Sequence, residues 1–410
     1  MLFVVACTPA HAAGETEAVA PAPDEQMQQM LDRIQALEEQ TQTHQSDLDK
    51  LKRFKFSGYI QARYETAENA TDSVKVAGSP PTITPAADQR FYIRRGRFKL
   101  TYDASPLSQA VIYFDGNTAG SNRNITLLEA YITLMDPWTP LHAHQLTIGQ
   151  MNVPFGYEIE RSSSLRELPE RSRAENVLFP GERDRGVKLV DQWTPRLETV
   201  IGVFNGYGIN DVNFPTFDPT AAKDWTARAR WSQGWLDVAG SVYQGHTTIP
   251  LTGPDVEVDR TRYGGDAQFY YELPRAGGGS LRGEFYRGTN LNADSLKALS
   301  VASSSANPVT ILKPGADPNH LATDFTGWYA MWVQNAGDRW QFAARYDVFD
   351  PNTGLDHDQF TRTSLGVNWF FDGYTRITAA YDIVKTDLLS SGAYHDPADN
   401  LWTFQVQHKW

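Results

Sequence analysis

The sequence lacks the features that mark several large classes of protein. No apolar run in the 410 residues approaches the roughly 18 residues of a membrane-spanning helix, and the mean hydropathy is −0.46. The one cysteine is Cys7, so the rest of the chain can form neither a disulfide framework nor a thiolate metal site. A net charge of −12 disfavours nucleic acid as a partner, because binding to phosphates needs a basic excess.

The polar residues also lack the spacing of a catalytic or metal site. None of the nine histidines stands in a triad-like or metal-ligand pattern. The acidic residues Asp347, Asp350, Asp356 and Asp358 suggest calcium, but an acidic surface loop explains them more simply. We therefore predict no enzyme activity, no cofactor and no metal.

Apolar–polar alternation is what the chain has in abundance, and its C-terminus shows this best. Trp402, Phe404, Val406 and Trp410 fall on one face of the last ten residues, interrupted by His408, and polar residues fall on the other. A period of two is typical of a β-strand between an apolar phase and water. A terminal strand that ends on an aromatic residue is typical of bacterial outer-membrane β-barrels, although the last strand of a soluble sheet alternates in the same way.

The first 53 residues follow a different pattern. Residues 1–12 are predicted to be the remnant of a signal peptide cleaved after Ala12, and residues 13–24 a flexible linker. Residues 25–53 repeat apolar side chains with a heptad period, at Met27, Met30, Ile34, Leu37, Leu48 and Leu51. This seam predicts a coiled-coil helix that acts as a periplasmic trimerisation stalk, and the alternative is a single amphipathic helix lying on its own barrel.

Sixteen segments with strand character follow. They are predicted at 54–66, 89–103, 108–116, 124–135, 143–153, 182–191, 197–206, 223–232, 235–245, 260–273, 280–290, 323–335, 338–349, 358–371, 374–386 and 399–410. Short connections alternate with long ones, and the long ones are predicted at 67–88, 154–181, 207–222, 246–259 and 291–322. An even strand count with this alternation predicts an all-β membrane protein of the bacterial outer membrane. The predicted fold is a 16-stranded antiparallel transmembrane β-barrel over residues 54–410, with a short N-terminal coiled-coil helix.

Tryptophan placement supports the same topology. Seven of the eleven tryptophans fall in or beside predicted short connections, namely Trp138, Trp193, Trp231, Trp235, Trp340, Trp369 and Trp410. An indole combines an apolar body with a polar N–H, which suits the membrane–water interface. The set predicts an aromatic girdle at the periplasmic rim.

Alternation also predicts which charged residues face the lumen. In the first two strands the inward set contains Arg63, Arg95, Arg97 and Lys99. Since residues 1–53 carry nine acidic and four basic residues, the barrel wall can be basic although the whole chain is acidic. A ring of charge in a narrow passage selects ions by sign. Alternatively, the inward arginines pair with carboxylates and only keep the lumen wet.

Several phrases of the sequence resemble one porin family. They are Arg94-Arg95-Gly96-Arg97-Phe98-Lys99-Leu100, the G-Q-x-x-x-P-F-G-x-E phrase from Gly149 to Glu158, a third loop rich in serine and arginine, the D-R-G-V-x-L phrase from Asp184, and Gly366-Val367-Asn368-Trp369-Phe370. In this order and spacing they are similar to the phosphate-selective porin O and P family, over about residues 25–410.

The resemblance implies a homotrimer of sixteen-stranded barrels whose third loop, about residues 154–181, folds inward and narrows an anion path for phosphate or related anions. The candidate pore-lining and anion-binding residues are Arg63, Arg95, Arg97, Lys99, Arg161, Arg166, Arg171, Arg173 and Lys188. The chain departs from the family in a third loop without lysine, whose glutamates nearly balance its arginines, and in a final Trp410 where phenylalanine is usual.

The sequence therefore predicts a passive porin that prefers small anions. The alternatives are a weakly selective general diffusion porin and a structural or adhesive barrel with a plugged lumen. The expected partners are outer-membrane lipid and lipopolysaccharide, two further copies of the chain, and small anionic solutes.

Overall fold

The computed structural model describes residues 23–68, 89–116, 125–139, 141–206, 208–209, 223–249, 256–291, 300–301, 311–312, 320–386, 388–390, 393–396 and 400–410. The predicted signal-peptide remnant, most of the predicted linker and parts of four predicted long connections lie outside the described residues. Within them, no helix is long and apolar enough to cross a membrane. The described residues form two compact units, which divide between Arg53 and Phe54.

The first unit contains helix α1 (Pro23–Leu51). Its many Gln, Glu, Leu and Met residues favour a helix, and pairs one turn apart support it, such as Lys50 Nζ to Asp47 Oδ1 at 2.9 Å. The six seam residues from Met27 to Leu51 are 51–64% exposed. The predicted short N-terminal helix is thus confirmed, whereas its pairing in a coiled coil stays a prediction.

The second unit is a closed antiparallel barrel, which confirms the predicted fold class. Its sixteen strands, counted among the described residues, are β1 (Phe54–Ala67), β2 (Gln89–Ser105), β3 (Ser108–Gly116), β4 (Ile125–Met135), β5 (His144–Asn152), β6 (Arg183–Thr194), β7 (Leu197–Phe204), β8 (Asp224–Ser232), β9 (Leu236–Ile249), β10 (Val256–Leu273), β11 (Gly277–Leu291), β14 (Ala322–Ala336), β15 (Trp340–Asp350), β16 (Phe360–Phe370), β17 (Thr375–Thr386) and β20 (Leu401–Lys409). Two short hairpins stand in long connections: β12 (Ser300–Val301) with β13 (Ile311–Leu312), and β18 (Leu388–Ser390) with β19 (Ala393–His395).

Most strand ends agree with the sequence prediction within a few residues, and the hairpin of β9 and β10 differs most. A long connection was predicted at 246–259, but Val256 pairs with Ile249 and Val258 pairs with Thr247. That prediction was wrong because β-branched residues on both sides extend the ladder beyond the last clear alternation.

Alternation sorts the side chains of β20 between the two faces as predicted. Thr403, Gln405 and Gln407 are only 1–3% exposed and face inward, whereas Trp402, Phe404 and Val406 are 45–47% exposed and face outward. Closure pairs the backbone groups of each barrel strand with its neighbours, so that no strand edge meets lipid. A closed barrel with an apolar outer surface is the architecture of bacterial outer-membrane proteins, and the outer-membrane location follows from it.

Strands β1 and β20 close the barrel next to the C-terminus. The Gly58 N–H donates to the Trp410 carbonyl (3.3 Å) and the Trp410 N–H donates to the Gly58 carbonyl (3.1 Å). A Cβ at Gly58 would lie 2.4 Å from the Arg97 carbonyl oxygen and 2.6 Å from the Trp410 ring. Glycine is therefore required where the terminal indole packs against the first strand.

Candidate functional site

The connection between β5 and β6, residues 153–182, crosses the lumen and contains the short helix α2 (Arg173–Leu178). Its first turn is held by the opposite wall. Gly156, with φ +63°, donates its N–H to Ser241 Oγ (3.1 Å), and Glu284 Oε1 accepts the N–H groups of Tyr157 (3.0 Å) and Glu158 (2.7 Å). A Cβ at Gly156 would lie 2.6 Å from Glu284 Oε2, so the chain can approach β11 only as glycine.

An aromatic cluster fixes this lumen loop against β9, β10 and β11. The Phe155 ring lies 4.9 Å from that of Phe179 and 6.2 Å from that of Tyr286, while Phe179 meets Tyr243 edge-on at 5.6 Å. All four rings are buried. Burying one such ring stabilises the docked loop by about 1.5–3 kcal/mol.

Ion pairs and amide contacts fix the loop against β15 and β16. Arg345 Nη1 lies 3.2 Å from Glu158 Oε1, and the Arg171 carbonyl accepts hydrogen bonds from the Arg345 and Arg362 guanidiniums. Asn368 Nδ2 donates to the Glu167 carbonyl (2.9 Å). Because donors of the wall are matched to backbone carbonyls of the loop, these contacts also satisfy buried polar groups.

A single carboxylate, Glu170, joins the loop to β1 and β2. Its oxygens lie 2.5 Å from Arg63 Nη1, 2.9 Å from Arg94 Nε and 3.4 Å from Arg95 Nη2. A β-bulge allows this, since Gln61 pairs with Arg95 and Ala62 with Ile93, which leaves Arg94 as the extra residue. Burial alone would raise the pKa of the Glu170 carboxyl, but the Arg94, Arg63 and Arg95 guanidiniums hold that pKa well below its usual range.

A cavity of about 540 Å³ remains between this loop and the wall formed by β1 to β6. The charged residues that line it are Arg97, Lys99, Glu129, Glu160, Arg183, Lys188 and Lys409. Five of these side chains are basic and two are acidic. The cavity therefore has a positive lining, although the whole chain is acidic.

The cations of the cavity differ in how fully they are engaged. Arg97 pairs with Asp115 (Nε to Oδ2, 3.0 Å) and donates to Ser163 Oγ (2.9 Å), and Arg183 pairs with Glu129 (Nη2 to Oε1, 3.0 Å). Lys99 Nζ lies 3.6 Å from Glu129 Oε2. In the described part of the chain, Lys188 and Lys409 have no ion pair within 4 Å. The lysines are thus the cations most open to a solute.

The nine predicted site residues fall into three groups. Arg97, Lys99 and Lys188 line the 540 Å³ cavity, and Arg161 lines a second cavity of about 260 Å³. Four others lie buried between loop and wall instead of on an open surface: Arg63, Arg95, Arg166 and Arg171. Arg173 lies over the Phe360 ring at 5.0 Å and donates its backbone N–H to Asp347.

Sequence reasoning missed Arg183, which lines the cavity and holds Glu129. Counting back by twos from the outward Val187 places residue 183 on the lipid face. The strand leaves strict alternation before Gly186, however, and both Arg183 and Asp184 are buried. The partner residue of Gly186 on β5 is Gly149, with φ +134°, and these paired glycines were the one signal of an irregular stretch.

The described residues contain no group of three or more His, Cys, Asp or Glu side chains that could hold a metal ion. The arrangement suits solute passage: a polar cavity lined by cations lies beside a loop that narrows the lumen.

No protein-family model and no curated protein matches the chain. Among solved structures, it is similar to the anion-selective porin from Comamonas acidovorans, with a TM-score of 0.59 at 10% identity over 87% of this chain and 99% of that one. The outer membrane channel DcaP of Acinetobacter baumannii has a TM-score of 0.58 at 11% identity, over 87% and 97% of the two chains. OprB of Pseudomonas putida has a TM-score of 0.56 at 10% identity, over 90% and 96%.

At these identities the likeness shows the fold, which is that of outer-membrane porins and channels. Membership of the phosphate-selective porin O and P family stays a prediction that rests on the motifs. In this structure the phrase from Gly149 to Glu158 leads from β5 into the lumen loop: Gly149 and Gln150 lie in β5, Phe155 and Gly156 dock against the wall, and Glu158 pairs with Arg345.

Proposed function

We propose that the chain is a passive outer-membrane porin that prefers small anions. The observation that carries the proposal is the positive lining of the 540 Å³ cavity, where five cations face two carboxylates. Charge acts strongly on ions in a narrow, partly dehydrated passage, so a positive lining attracts anions and repels cations. The positive charge that acidic side chains of the wall neutralise least is that of three lysines, Lys99, Lys188 and Lys409.

Reversal potentials in planar bilayers test this proposal. With the full-length protein under a KCl gradient, chloride should pass more readily than potassium. Replacing two cavity cations in Lys99→Gln/Lys188→Gln should weaken that preference, whereas Arg33→Gln, a charge change on helix α1, should not alter it. A potassium preference in the unmodified protein would overturn the anion proposal.

The main rival is a structural or adhesive barrel with a plugged lumen. The extensive docking of the lumen loop on five or more strands is the observation that favours it. A plugged barrel gives no discrete conductance steps in a bilayer, whereas a porin gives steps of uniform size. A weakly selective general diffusion porin would give such steps with a reversal potential close to zero.

The sequence motifs imply phosphate as the solute, and a current measurement tests that part of the proposal. A phosphate site would show as block of chloride current by phosphate at low concentration. We place its candidate residues at the cavity, with Arg97, Lys99 and Lys188 first, since Arg63, Arg95, Arg166 and Arg171 are enclosed by the loop.

We further propose that three copies assemble, with residues 25–53 as a periplasmic stalk, after removal of residues 1–12 and with residues 13–24 as a linker. The exposed apolar seam of α1 supports this, because a row of six apolar residues that are more than half exposed is unfavourable in water and is covered when helices associate. Lipid and lipopolysaccharide would surround the apolar outer surface of the barrel.

A further inference from the structure

The cavity contains rings and apolar side chains between its cations. Tyr113 lies at the centre of one side, with Arg97 and Lys99 each 5.6 Å and Arg183 6.0 Å from its ring centroid. Lys99 pairs with Tyr113 across β2 and β3, and Tyr113 pairs with Glu129 across β3 and β4. One tyrosine ring thus lies among three cations on this wall, with the Glu129 carboxylate on the next strand.

The neighbouring part of the wall, on β4 to β6, has a similar combination of side chains. Val190 follows Lys188 by two residues on β6 and therefore shares its face, and Gln145 pairs with both Val190 and Met135. Tyr131 pairs with Gly149, which has no side chain to cover the ring. Lys188, Val190, Met135 and Tyr131 thus line the same cavity.

Inorganic phosphate is poorly matched to this lining. The guanidiniums that could grip it bidentately are engaged, Arg97 by Asp115 and Arg183 by Glu129. The remaining lysines are point charges on flexible stems and cannot bind phosphate in the bidentate manner of a guanidinium.

We propose that this cavity binds and passes small organic carboxylates that carry an aromatic ring, in preference to phosphate. The carboxylate lies against Lys188 or Lys99, and the ring packs against Tyr131 and the apolar side chains beside it. The rings of Tyr59, Tyr113, Tyr131 and Trp410 line the cavity together with its cations, so a solute that carries both a ring and a carboxylate finds partners for both. The inference rests on the proposed anion-preferring porin and names its solute class.

Bi-ionic potentials on the full-length protein test the inference, with benzoate, acetate and phosphate each set against chloride. Benzoate diffuses more slowly than acetate in water, so a passage without a ring site gives a benzoate-to-acetate permeability ratio below one. We expect a ratio above one. Tyr131→Ser should lower it by about threefold to tenfold, the range of one aromatic contact. Lys188→Gln should reduce the permeability of both carboxylates and leave the ratio nearly unchanged.

Val190→Thr provides a second variant, because it keeps the shape of the side chain and should lower the ratio in the same direction. Two results in a chloride-preferring channel overturn this inference and leave the proposed function standing. One is a benzoate-to-acetate permeability ratio below one, and the other is block by phosphate at a lower concentration than block by benzoate. A potassium-preferring channel overturns the proposed function itself.

Discussion

The strongest prediction concerns Glu170, the carboxylate that pairs the lumen loop with three arginines of β1 and β2. In Glu170→Gln the side chain keeps its shape and loses its charge, and Arg63, Arg94 and Arg95 lose their shared counter-ion. We expect the segment next to Glu170 to separate from β1 and β2 part of the time, while Ser163 and Arg171 keep their own contacts with the wall. The Glu284 contacts and the Phe155 cluster hold the start of the loop independently, so the barrel should still fold.

The size of the effect follows from burial. The side chains of Arg63 and Arg95 are 1% and 4% exposed, and that of Glu170 is 17% exposed. Breaking a buried ion pair on one side costs about 3–5 kcal/mol. We take the lower end, about 3 kcal/mol, because the glutamine amide still accepts a hydrogen bond. This corresponds to roughly a hundredfold rise in the undocked fraction of the segment.

Single-channel recording measures this directly, as current fluctuations between two levels. Glu160→Gln is the matched control, because the substitution changes the charge by the same amount. Glu160 lines the cavity and forms no ion pair in the described part of the chain. Both variants should raise chloride preference slightly, but the control should keep a quiet current. Quiet traces from Glu170→Gln that match those of Glu160→Gln would refute the idea that Glu170 fastens the loop.

Three further predictions concern acid, barrel closure and assembly. Because the pKa of Glu170 is depressed in the folded chain, the stabilisation that Glu170 gives the docked loop is fully present above about pH 4.3 and is lost as the pH falls through the lower folded value. The current should therefore stay quiet at pH 5 and fluctuate only in stronger acid. Gly58→Val should destabilise the closed barrel by about 1–3 kcal/mol and lower the temperature at which it unfolds on detergent gels, whereas Gly373→Ala, where a Cβ meets nothing within 4 Å, should not. Ile34→Asp/Leu37→Asp should convert trimers to smaller species in native mass spectrometry. Gln35→Asp, which lies outside the seam, should leave the mass unchanged. An unchanged mass in the double variant would contradict assembly through the stalk.

The strands and their faces could be predicted because the barrel stands between two phases. Lipid on one side and a wet lumen on the other impose a period of two, which is visible in β20 and in the inward Arg95, Arg97 and Lys99 of β2. Helix α1 was equally visible because its heptad period differs from that of the strands.

The partners of the inward arginines could not be predicted, because alternation shows which face of the sheet a side chain lies on but not which distant residue lies near it. Glu170 lies 107 residues after Arg63 and 75 after Arg95 in the chain, and only the path of the loop brings them together. The orientations of Arg94 and Arg183 could not be predicted either, because the backbone is irregular at both. The bulge turns Arg94 toward Glu170, and the break in β6 turns Arg183 inward, where counting by twos places it outside. The alternative in which inward arginines pair with carboxylates therefore describes Arg63 and Arg95, whereas Lys188 has no ion pair in the described part of the chain and its place in an anion path stays a prediction.

The central claim is that the lining of the 540 Å³ cavity gives the channel its preference for anions. The reversal potential of the unmodified, full-length protein under a KCl gradient tests it most directly. A potential of the sign set by chloride, which moves toward zero in Lys99→Gln/Lys188→Gln, is the predicted result. A potential of the sign set by potassium, or one that the double variant leaves unchanged, would contradict the claim.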